Sequence, residues 1–172
     1  MSAAASHNVT LIGMPGSGKS TIGVVLAKRI NCQFVDTDLI IQTSQQRTLQ
    51  EIMDAEGFDA FCQIEENAVL SVNVDHHVVA TGGSVVYGPE GMAHLKKLGQ
   101  VVFLKTGLKT LEERLSNMAT RGIALKPGQT LEHLFHERNR LYTEYADITI
   151  ECDGLNVEQI CEKIEAALNG SI

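Results

Sequence analysis

The chain has 172 residues, of which 44% are apolar and 20% are charged, and its formal net charge at pH 7 is -7. This length and apolar content suffice for one domain with a substantial core. The acidic balance excludes a nucleic acid or an anionic membrane surface as the main partner, because either would require a basic face. A small metabolite bound at a locally positive site is compatible with this charge.

The cysteines and the N-terminal segment bear on location. Cys32, Cys62, Cys152 and Cys161 form no Cys-x-x-Cys pair, so we expect reduced thiols and a cytoplasmic protein. Residues 1–7 lack the basic and apolar regions of a signal peptide, and no run of about 18 apolar residues occurs. We therefore expect a flexible tail over residues 1–7, a single domain over residues 8–172, and no membrane partner.

The first part of the chain predicts two strands followed by a helical insert. Residues 9–12 form an apolar strand that ends in a glycine-rich loop, and helical spacing begins at Ser20. Residues 33–36 form a second short strand. From residue 39 to about residue 72 the apolar spacing predicts two or three helices, with Gly57 as a break. Because this insert lies between strands, it should pack over one end of the sheet.

The rest of the chain alternates between strands and helices. Strands are predicted over residues 77–80, 101–104 and 147–151, and helices over residues 89–98, 108 to about 119, 130–145 and 157–168. The first two of these strands are fully apolar, which is typical of buried parallel strands. Residues 121–128 contain two glycines and a proline and could form a lid. The alternation predicts an α/β fold with helices on both faces of a parallel sheet.

A phosphate-binding loop lies between the first strand and the first helix. Residues 13–21 read Gly-Met-Pro-Gly-Ser-Gly-Lys-Ser-Thr, which matches the pattern Gly-x4-Gly-Lys-Ser in full. The glycines let backbone N–H groups point at a phosphate, Lys19 reaches the β- and γ-phosphates, and the Ser20 hydroxyl can bind Mg²⁺. A glycine-rich turn that binds nothing is the alternative. We predict ATP binding by Gly13, Gly16, Ser17, Gly18, Lys19, Ser20 and Thr21.

Two carboxylates stand at the end of the second strand, where α/β proteins bind ligands. With Mg·ATP on the loop, Asp36 can hold Mg²⁺ through water. Asp38 can orient an acceptor hydroxyl or take its proton. The alternative interpretation is a helix start, with Thr37 or Asp38 as the N-cap.

Two further features admit both a functional and a structural interpretation. Gly82 and Gly83 directly follow the strand at residues 77–80, which indicates either a close approach of a ligand to the backbone or a tight turn. Arg121 lies in the predicted lid and could neutralise charge on a transferring phosphoryl group. A solvated loop arginine is the alternative.

From about residue 8 to residue 168 the chain resembles the shikimate kinase family. The resemblance is carried by the phosphate loop, Asp36-Thr-Asp38, Leu49-x-Glu-Ile52, Gly57-x3-Phe61, Glu65, Ala80-Thr-Gly-Gly83, Arg114, Arg121, Arg138 and Leu141-Tyr142. It implies a three-layer P-loop kinase fold, as in nucleoside monophosphate kinases, with a five-stranded parallel sheet of order 2-3-1-4-5. It also implies acceptor-binding helices over about residues 37–72 and a lid over about residues 119–129.

The resemblance also implies a role for each matching residue. Lys19 and Ser20 would serve ATP and Mg²⁺, Asp36 would hold the Mg²⁺ water shell, and Asp38 would bind the acceptor hydroxyls. On the same basis Gly82 and Gly83 would line the acceptor pocket, Arg114 would lie beside adenine, Arg121 would be the lid arginine, and Arg138 would hold the acceptor's carboxylate.

Four positions depart from the family's pattern. Cys62 stands where the family has an arginine that grips the shikimate carboxylate, Ser84 replaces a third glycine, and Gly122 and Arg140 replace prolines. Losing one of two carboxylate-binding arginines costs about 2–5 kcal/mol. Either Arg138 and Arg140 compensate, or the acceptor is not shikimate.

The leading hypothesis is a monomeric Mg²⁺- and ATP-dependent kinase that phosphorylates a hydroxyl of a small carboxylate-bearing metabolite, with shikimate as the first candidate. Its catalytic residues would be Lys19, Asp38 and Arg121. One alternative is the same chemistry on another hydroxy acid such as homoserine, whose ammonium group Asp38 could bind together with Glu65 or Glu66. The other is a non-catalytic nucleotide-binding module, which would need the loop but neither a lid arginine nor a second carboxylate.

Overall fold

A computed structural model describes residues 8–116, 123–124 and 126–170 of the chain. The predicted tail, Arg121 and most of the predicted lid lie outside these residues. The described part contains a parallel sheet of five strands in the order β2-β3-β1-β4-β5, which confirms the order expected from the family resemblance. The strands are β1 Asn8–Ile12, β2 Gln33–Asp36, β3 His77–Ala80, β4 Gly99–Lys105 and β5 Ile148–Glu151.

The helices of the described residues lie between and after these strands. They are α1 Lys19–Arg29, α2 Thr37–Gln45, α3 Leu49–Glu56, α4 Phe58–Leu70, α5 Pro89–Leu98, α6 Leu108–Ser116, α7 Leu131–Tyr145 and α8 Val157–Gly170. A short 3₁₀ helix over Val85–Tyr87 was not predicted. Within the ranges that the structure describes, no helix combines the length and the apolar character needed to cross a membrane.

The three layers follow from how β4 alternates its side chains. Val101 and Phe103 face one core, which also contains Met92 of α5 and Leu134 of α7, among others. Val102 and Leu104 face a second core, to which α1 and α8 contribute Ile22, Leu26, Ile160 and Ile164. Alternate residues of a strand point to opposite faces of the sheet. The sheet is therefore buried on both sides, as its apolar strands predict.

The insert between β2 and β3 forms α2, α3 and α4. These helices share a small core, in which Ile41, Ile52, Phe61 and Ala68 pack together with Ala124 from a later part of the chain. Thr48 begins α3 with a capping box, since its side chain accepts from the Glu51 amide and the Glu51 side chain accepts in return. Because α2 starts directly after β2, the insert lies at the carboxyl ends of the strands.

Candidate active site

The loop after β1 has the backbone shape that a phosphate-binding loop requires. Gly18 is the N-cap of α1 and has φ of +89°, a left-handed conformation that residues with a side chain rarely adopt. Gly16 has φ of +83°. These left-handed glycines let the chain turn sharply into the N-terminus of α1, and a glycine-rich loop followed by a helix N-terminus is the arrangement that binds phosphate.

Lys19, the first residue of α1, folds back over the loop. Its Nζ donates to the carbonyls of Gly13 at 2.7 Å and Met14 at 2.9 Å, and the residue is only 7% exposed. Burial lowers the pKa of this amine from 10.5 to about 8, although the Asp38 carboxylate acts in the opposite direction. The loop thus holds the ammonium group near the N-terminal end of α1.

Asp36 joins the phosphate loop to the start of α2. Its Oδ2 accepts a hydrogen bond from the Ser20 hydroxyl at 2.7 Å, and its Oδ1 accepts one from the Asp38 amide at 2.9 Å. Asp36 is therefore the N-cap of α2, and the alternative assignment of Thr37 or Asp38 as N-cap is wrong. Hydroxyl and carboxylate oxygens side by side are a donor set that suits Mg²⁺.

A cavity of about 410 Å³ extends from the phosphate loop toward α4 and α7. The predicted site residues that line it are Gly16, Gly18, Lys19, Ser20, Thr21, Asp38, Gly82, Gly83 and Arg138. It is also lined by Phe61, Glu65, Ser84 and Ala124, among others. The cavity therefore connects the phosphate loop with the side chains predicted to bind an acceptor.

Two carboxylates converge beside Gly82. A Cβ added to Gly82 would overlap Glu65 Oε1 and would lie 2.8 Å from Asp38 Oδ1. Glu65 is 1% exposed, and its Oε2 accepts a hydrogen bond from the Ser84 hydroxyl. Burial, followed by the Asp38 charge, raises the pKa of Glu65 from 4.5 to about 7. Glycine at position 82 is thus required by the approach of these two oxygens.

Arg138 of α7 is fully buried at the cavity wall. Its Nη2 donates to the Ala124 carbonyl at 2.6 Å, and its guanidinium lies 5.3 Å from the centroid of the Tyr87 ring. Tyr142, one turn further along α7, donates to the Gly83 carbonyl. Among the described residues, no carboxylate forms an ion pair with Arg138. The cavity therefore contains a guanidinium that a ligand's carboxylate would neutralise.

The other predicted residues have different surroundings. Arg114 Nη1 donates to the Gly16 carbonyl at 2.9 Å, which places this arginine against the phosphate loop. Arg140 is exposed and is not part of the cavity wall, so the structure does not bring it to Arg138. Glu66 accepts from the Gly91 amide at 2.9 Å and faces α5.

Cys62 is half-buried on α4, one turn before Glu65. Burial, and after it the Glu65 charge, raises the pKa of the Cys62 thiol to about 11. A thiol with a raised pKa is a poor nucleophile. Cys62 therefore contributes a neutral group at this position.

Sequence reasoning missed the residues that orient the cavity's charged groups. Ser84 appeared only as a departure from the family's third glycine, yet it hydrogen-bonds Glu65. Tyr87 was not singled out, although its ring packs on Arg138 and its hydroxyl donates to Glu137 at 2.6 Å. No local pattern marks either residue, because both act on partners far away in the chain.

The phosphate loop, the parallel sheet and the adjoining cavity with its carboxylates and guanidinium define a P-loop kinase for a small molecule. The sequence model of shikimate kinases matches residues 15–169, and the chain belongs to the shikimate kinase family.

Relatives and solved structures agree with this placement. Shikimate kinase from a Sulfurihydrogenibium species is 35% identical over 158 residues, which are 91% of this chain and 95% of that protein. Shikimate kinase from Francisella tularensis subsp. novicida is 34% identical, with 95% of each chain covered. The structure of shikimate kinase from Acinetobacter baumannii in complex with shikimate has a TM-score of 0.87 and 28% identity, and covers 98% of this chain and 95% of its own.

Proposed function

We propose that this protein transfers the γ-phosphoryl group of Mg·ATP to a hydroxyl of shikimate. The observation that carries the proposal is the buried guanidinium of Arg138 in the same cavity as Lys19 and Asp38. One end of the cavity suits a triphosphate, and the other suits a carboxylate. Shikimate has both a carboxylate and ring hydroxyls, the relatives are shikimate kinases, and the A. baumannii enzyme is in complex with shikimate.

At the donor end, the loop amides and Lys19 bind the β- and γ-phosphates. The Lys19 ammonium group is positioned before ATP binds, because it already donates to carbonyls of the loop. Donors that need no reorganisation are the main source of stabilisation for charge that develops in a transition state. Arg114, which contacts the loop at Gly16, supports the base or sugar side of the nucleotide.

Ser20 and Asp36 are the residues that would hold Mg²⁺. Their oxygens lie 2.7 Å apart and belong to the hard ligand class that this cation prefers. Bound there, the ion would neutralise charge on the β- and γ-phosphates.

At the acceptor end, Asp38 orients the hydroxyl that is phosphorylated and Arg138 binds the carboxylate. Both side chains line the cavity, with Gly82 and Gly83 between them. Positioning of this kind can supply much of the rate in phosphoryl transfer. The acceptor is thus oriented from two sides, by its hydroxyl and by its carboxylate.

The test is a coupled assay of ADP release with Mg·ATP, in which shikimate, homoserine and other small hydroxy acids are compared at equal concentration. We expect efficient turnover with shikimate and none with homoserine, because the positive charge of Arg138 disfavours an ammonium group beside it. Lys19→Ala should abolish this turnover, while Lys28→Ala at the exposed end of α1 should leave it unchanged.

Two results would contradict the proposal. ADP release that does not depend on any acceptor would indicate a nucleotide-binding module. Turnover with another hydroxy acid but not with shikimate would show that Cys62 marks a change of substrate.

A further inference from the structure

Lys126, in the segment before α7, lies against the first residue of α4. Its Nζ stands 5.3 Å from the centroid of the Phe58 ring. The side chain is exposed, and within the ranges that the structure describes no carboxylate forms an ion pair with it. An aromatic face attracts a cation but carries no net charge. The positive charge of Lys126 is therefore available to an anionic ligand.

Arg138 has the same kind of contact with the neighbouring ring. Its guanidinium lies 5.3 Å from the centroid of the Tyr87 ring. The rings of Tyr87 and Phe58 meet edge to face, with their centroids 5.5 Å apart. Two cations that have no carboxylate partner in the described part of the chain thus pack on two rings in contact. An anion that binds within reach of both offsets their mutual repulsion.

The backbone before α7 connects Lys126 to the cavity. Arg138 Nη2 donates to the Ala124 carbonyl at 2.6 Å, and Ala124 itself lines the cavity. Lys126 follows two residues later, and its amide donates to the Gln129 side chain at 3.3 Å. Gln129 in turn donates to Glu137 of α7 at 3.3 Å. The backbone of Lys126 is therefore held close to the cavity wall, while its ammonium group stays exposed.

Cys62 lies where the fields of the two cations overlap. Phe58 and Cys62 are four residues apart on α4, so they lie on the same face of that helix. Burial raises the pKa of the Cys62 thiol, and the positive charges of Arg138 and Lys126 both oppose this rise. The thiol itself is neutral. An anionic group that binds to Arg138 on the side of Cys62 is therefore attracted by Lys126 as well.

We propose that Lys126 supplies a second positive charge for the acceptor's carboxylate, on the Cys62 side of Arg138. Phe58 holds the ammonium group on this side, and the flexible stem of a lysine lets that group follow the carboxylate. This inference rests on the proposed function, because it takes the binding of a carboxylate by Arg138 as its starting point. It makes Lys126 a residue that favours acidic over uncharged acceptors.

The test measures the kinetic constants of the full chain and of Lys126→Met with shikimate and with its uncharged methyl ester. Methionine keeps an apolar contact with Phe58 and removes the charge. We expect KM for shikimate to rise about 3- to 10-fold, because the lysine is exposed and its charge is partly screened by solvent. KM for ATP should not change. The value of kcat/KM for the ester, taken from the rate at low ester concentration, should also be the same in both proteins.

Three further variants sharpen the test. Lys126→Arg keeps the charge and should leave KM for shikimate nearly unchanged. Cys62→Arg in the Lys126→Met background adds a guanidinium one turn after Phe58 and should restore KM for shikimate. The matched control is Lys163→Met, which removes an equal charge at an exposed position of α8, on the opposite face of the sheet. It should leave every constant unchanged.

The outcomes separate this inference from the proposed function. If Lys126→Met loses as much with the ester as with shikimate, Lys126 serves only to anchor its segment on Phe58, and the inference is overturned. An unchanged KM for shikimate in Lys126→Met, or no recovery with Cys62→Arg, also overturns it while the proposed function stands. If the unmodified protein does not phosphorylate shikimate, the proposed function is overturned and this inference with it. A loss confined to the charged acceptor and recovered by Cys62→Arg supports both.

Discussion

At the scale of single residues, Arg138 is the basis of the proposal that the cavity binds an anionic acceptor. Arg138 donates to the Ala124 carbonyl and the Tyr87 hydroxyl, but among the described residues no carboxylate forms an ion pair with it. A buried cation without a paired anion is costly. A ligand carboxylate recovers that cost on binding. The planar fork of an arginine also fixes the orientation of a carboxylate, which the single charge of a lysine does not.

We therefore expect Arg138→Lys to raise KM for shikimate by about 10-fold or more, because a charge-assisted hydrogen bond contributes about 1.5–3 kcal/mol. KM for ATP should stay unchanged, since the phosphate loop lies at the other end of the cavity. Steady-state kinetics with each substrate varied in turn measures both constants. Arg140→Lys on the same helix is the control, and an equal rise in both variants would show that Arg140 shares the role that we assign to Arg138.

Single residues also show what the sequence can and cannot predict about the site. The phosphate loop is predictable because its glycines, lysine and serine lie within nine consecutive positions. The raised pKa of Glu65 cannot be predicted in this way. Its hydrogen-bond partner Ser84 is 19 positions away, and the burial of Glu65 depends on the packing of α4. The same holds for Tyr87, which meets Arg138 only after the 3₁₀ helix and α7 have come together.

At the scale of secondary-structure elements, strands and long helices were predicted well and short turns were not. The strand at residues 33–36 and the helix at residues 89–98 have the predicted bounds. The break between α2 and α3 was not located, because Gln46 adopts a left-handed φ of +52° without being a glycine. Strand order required the family resemblance, since apolar strands of similar length do not specify their neighbours.

Helix α7 supports the site through its N-terminal cap. The Thr130 side chain accepts from the His133 amide at 3.2 Å. Helix α7 then supplies Arg138 to the cavity wall, and its Tyr142 donates to the Gly83 carbonyl behind that wall. We expect Thr130→Ala to lower the free energy of unfolding by about 1 kcal/mol, because the cap satisfies an amide that α7 leaves unbonded. Urea denaturation followed by circular dichroism measures this change.

The control for this prediction is Thr143→Ala, also on α7. Thr143 is exposed, and its hydroxyl donates to the Asn139 carbonyl within the helix. We expect a change within about 0.5 kcal/mol for that variant. If the free energy of unfolding falls equally in Thr130→Ala and Thr143→Ala, the cap hydrogen bond does not stabilise the protein as we expect.

At the scale of the whole molecule, the buried charges of the site link folding to pH. Glu65 is surrounded by the Asp38 carboxylate, the cations Lys19 and Arg138, and the Ser84 hydroxyl. Burial and Asp38 outweigh the others, so the pKa of Glu65 is about 7 in the folded protein instead of 4.5. Between pH 4.5 and about pH 7, the folded protein therefore still binds a proton at Glu65 that the unfolded chain has already released.

The sign of the effect follows from that proton. Stability falls with rising pH wherever the folded state binds more protons than the unfolded state. The contribution of Glu65 is therefore fully present below about pH 4.5 and is lost as the pH rises through about 7. For a shift of this size the loss is on the order of 3 kcal/mol.

We expect Glu65→Gln to remove this loss, because a glutamine has no proton to release. The free energy of unfolding of the variant, relative to the unmodified protein, should rise by about 2–3 kcal/mol between pH 5 and pH 8. Urea denaturation at a series of pH values measures the difference. Glu90→Gln at an exposed position of α5 changes the net charge by the same amount and should show no such rise. Parallel curves for Glu65→Gln and the unmodified protein would mean that Glu65 is ionised in the folded state throughout, and that the cations of the cavity outweigh its burial.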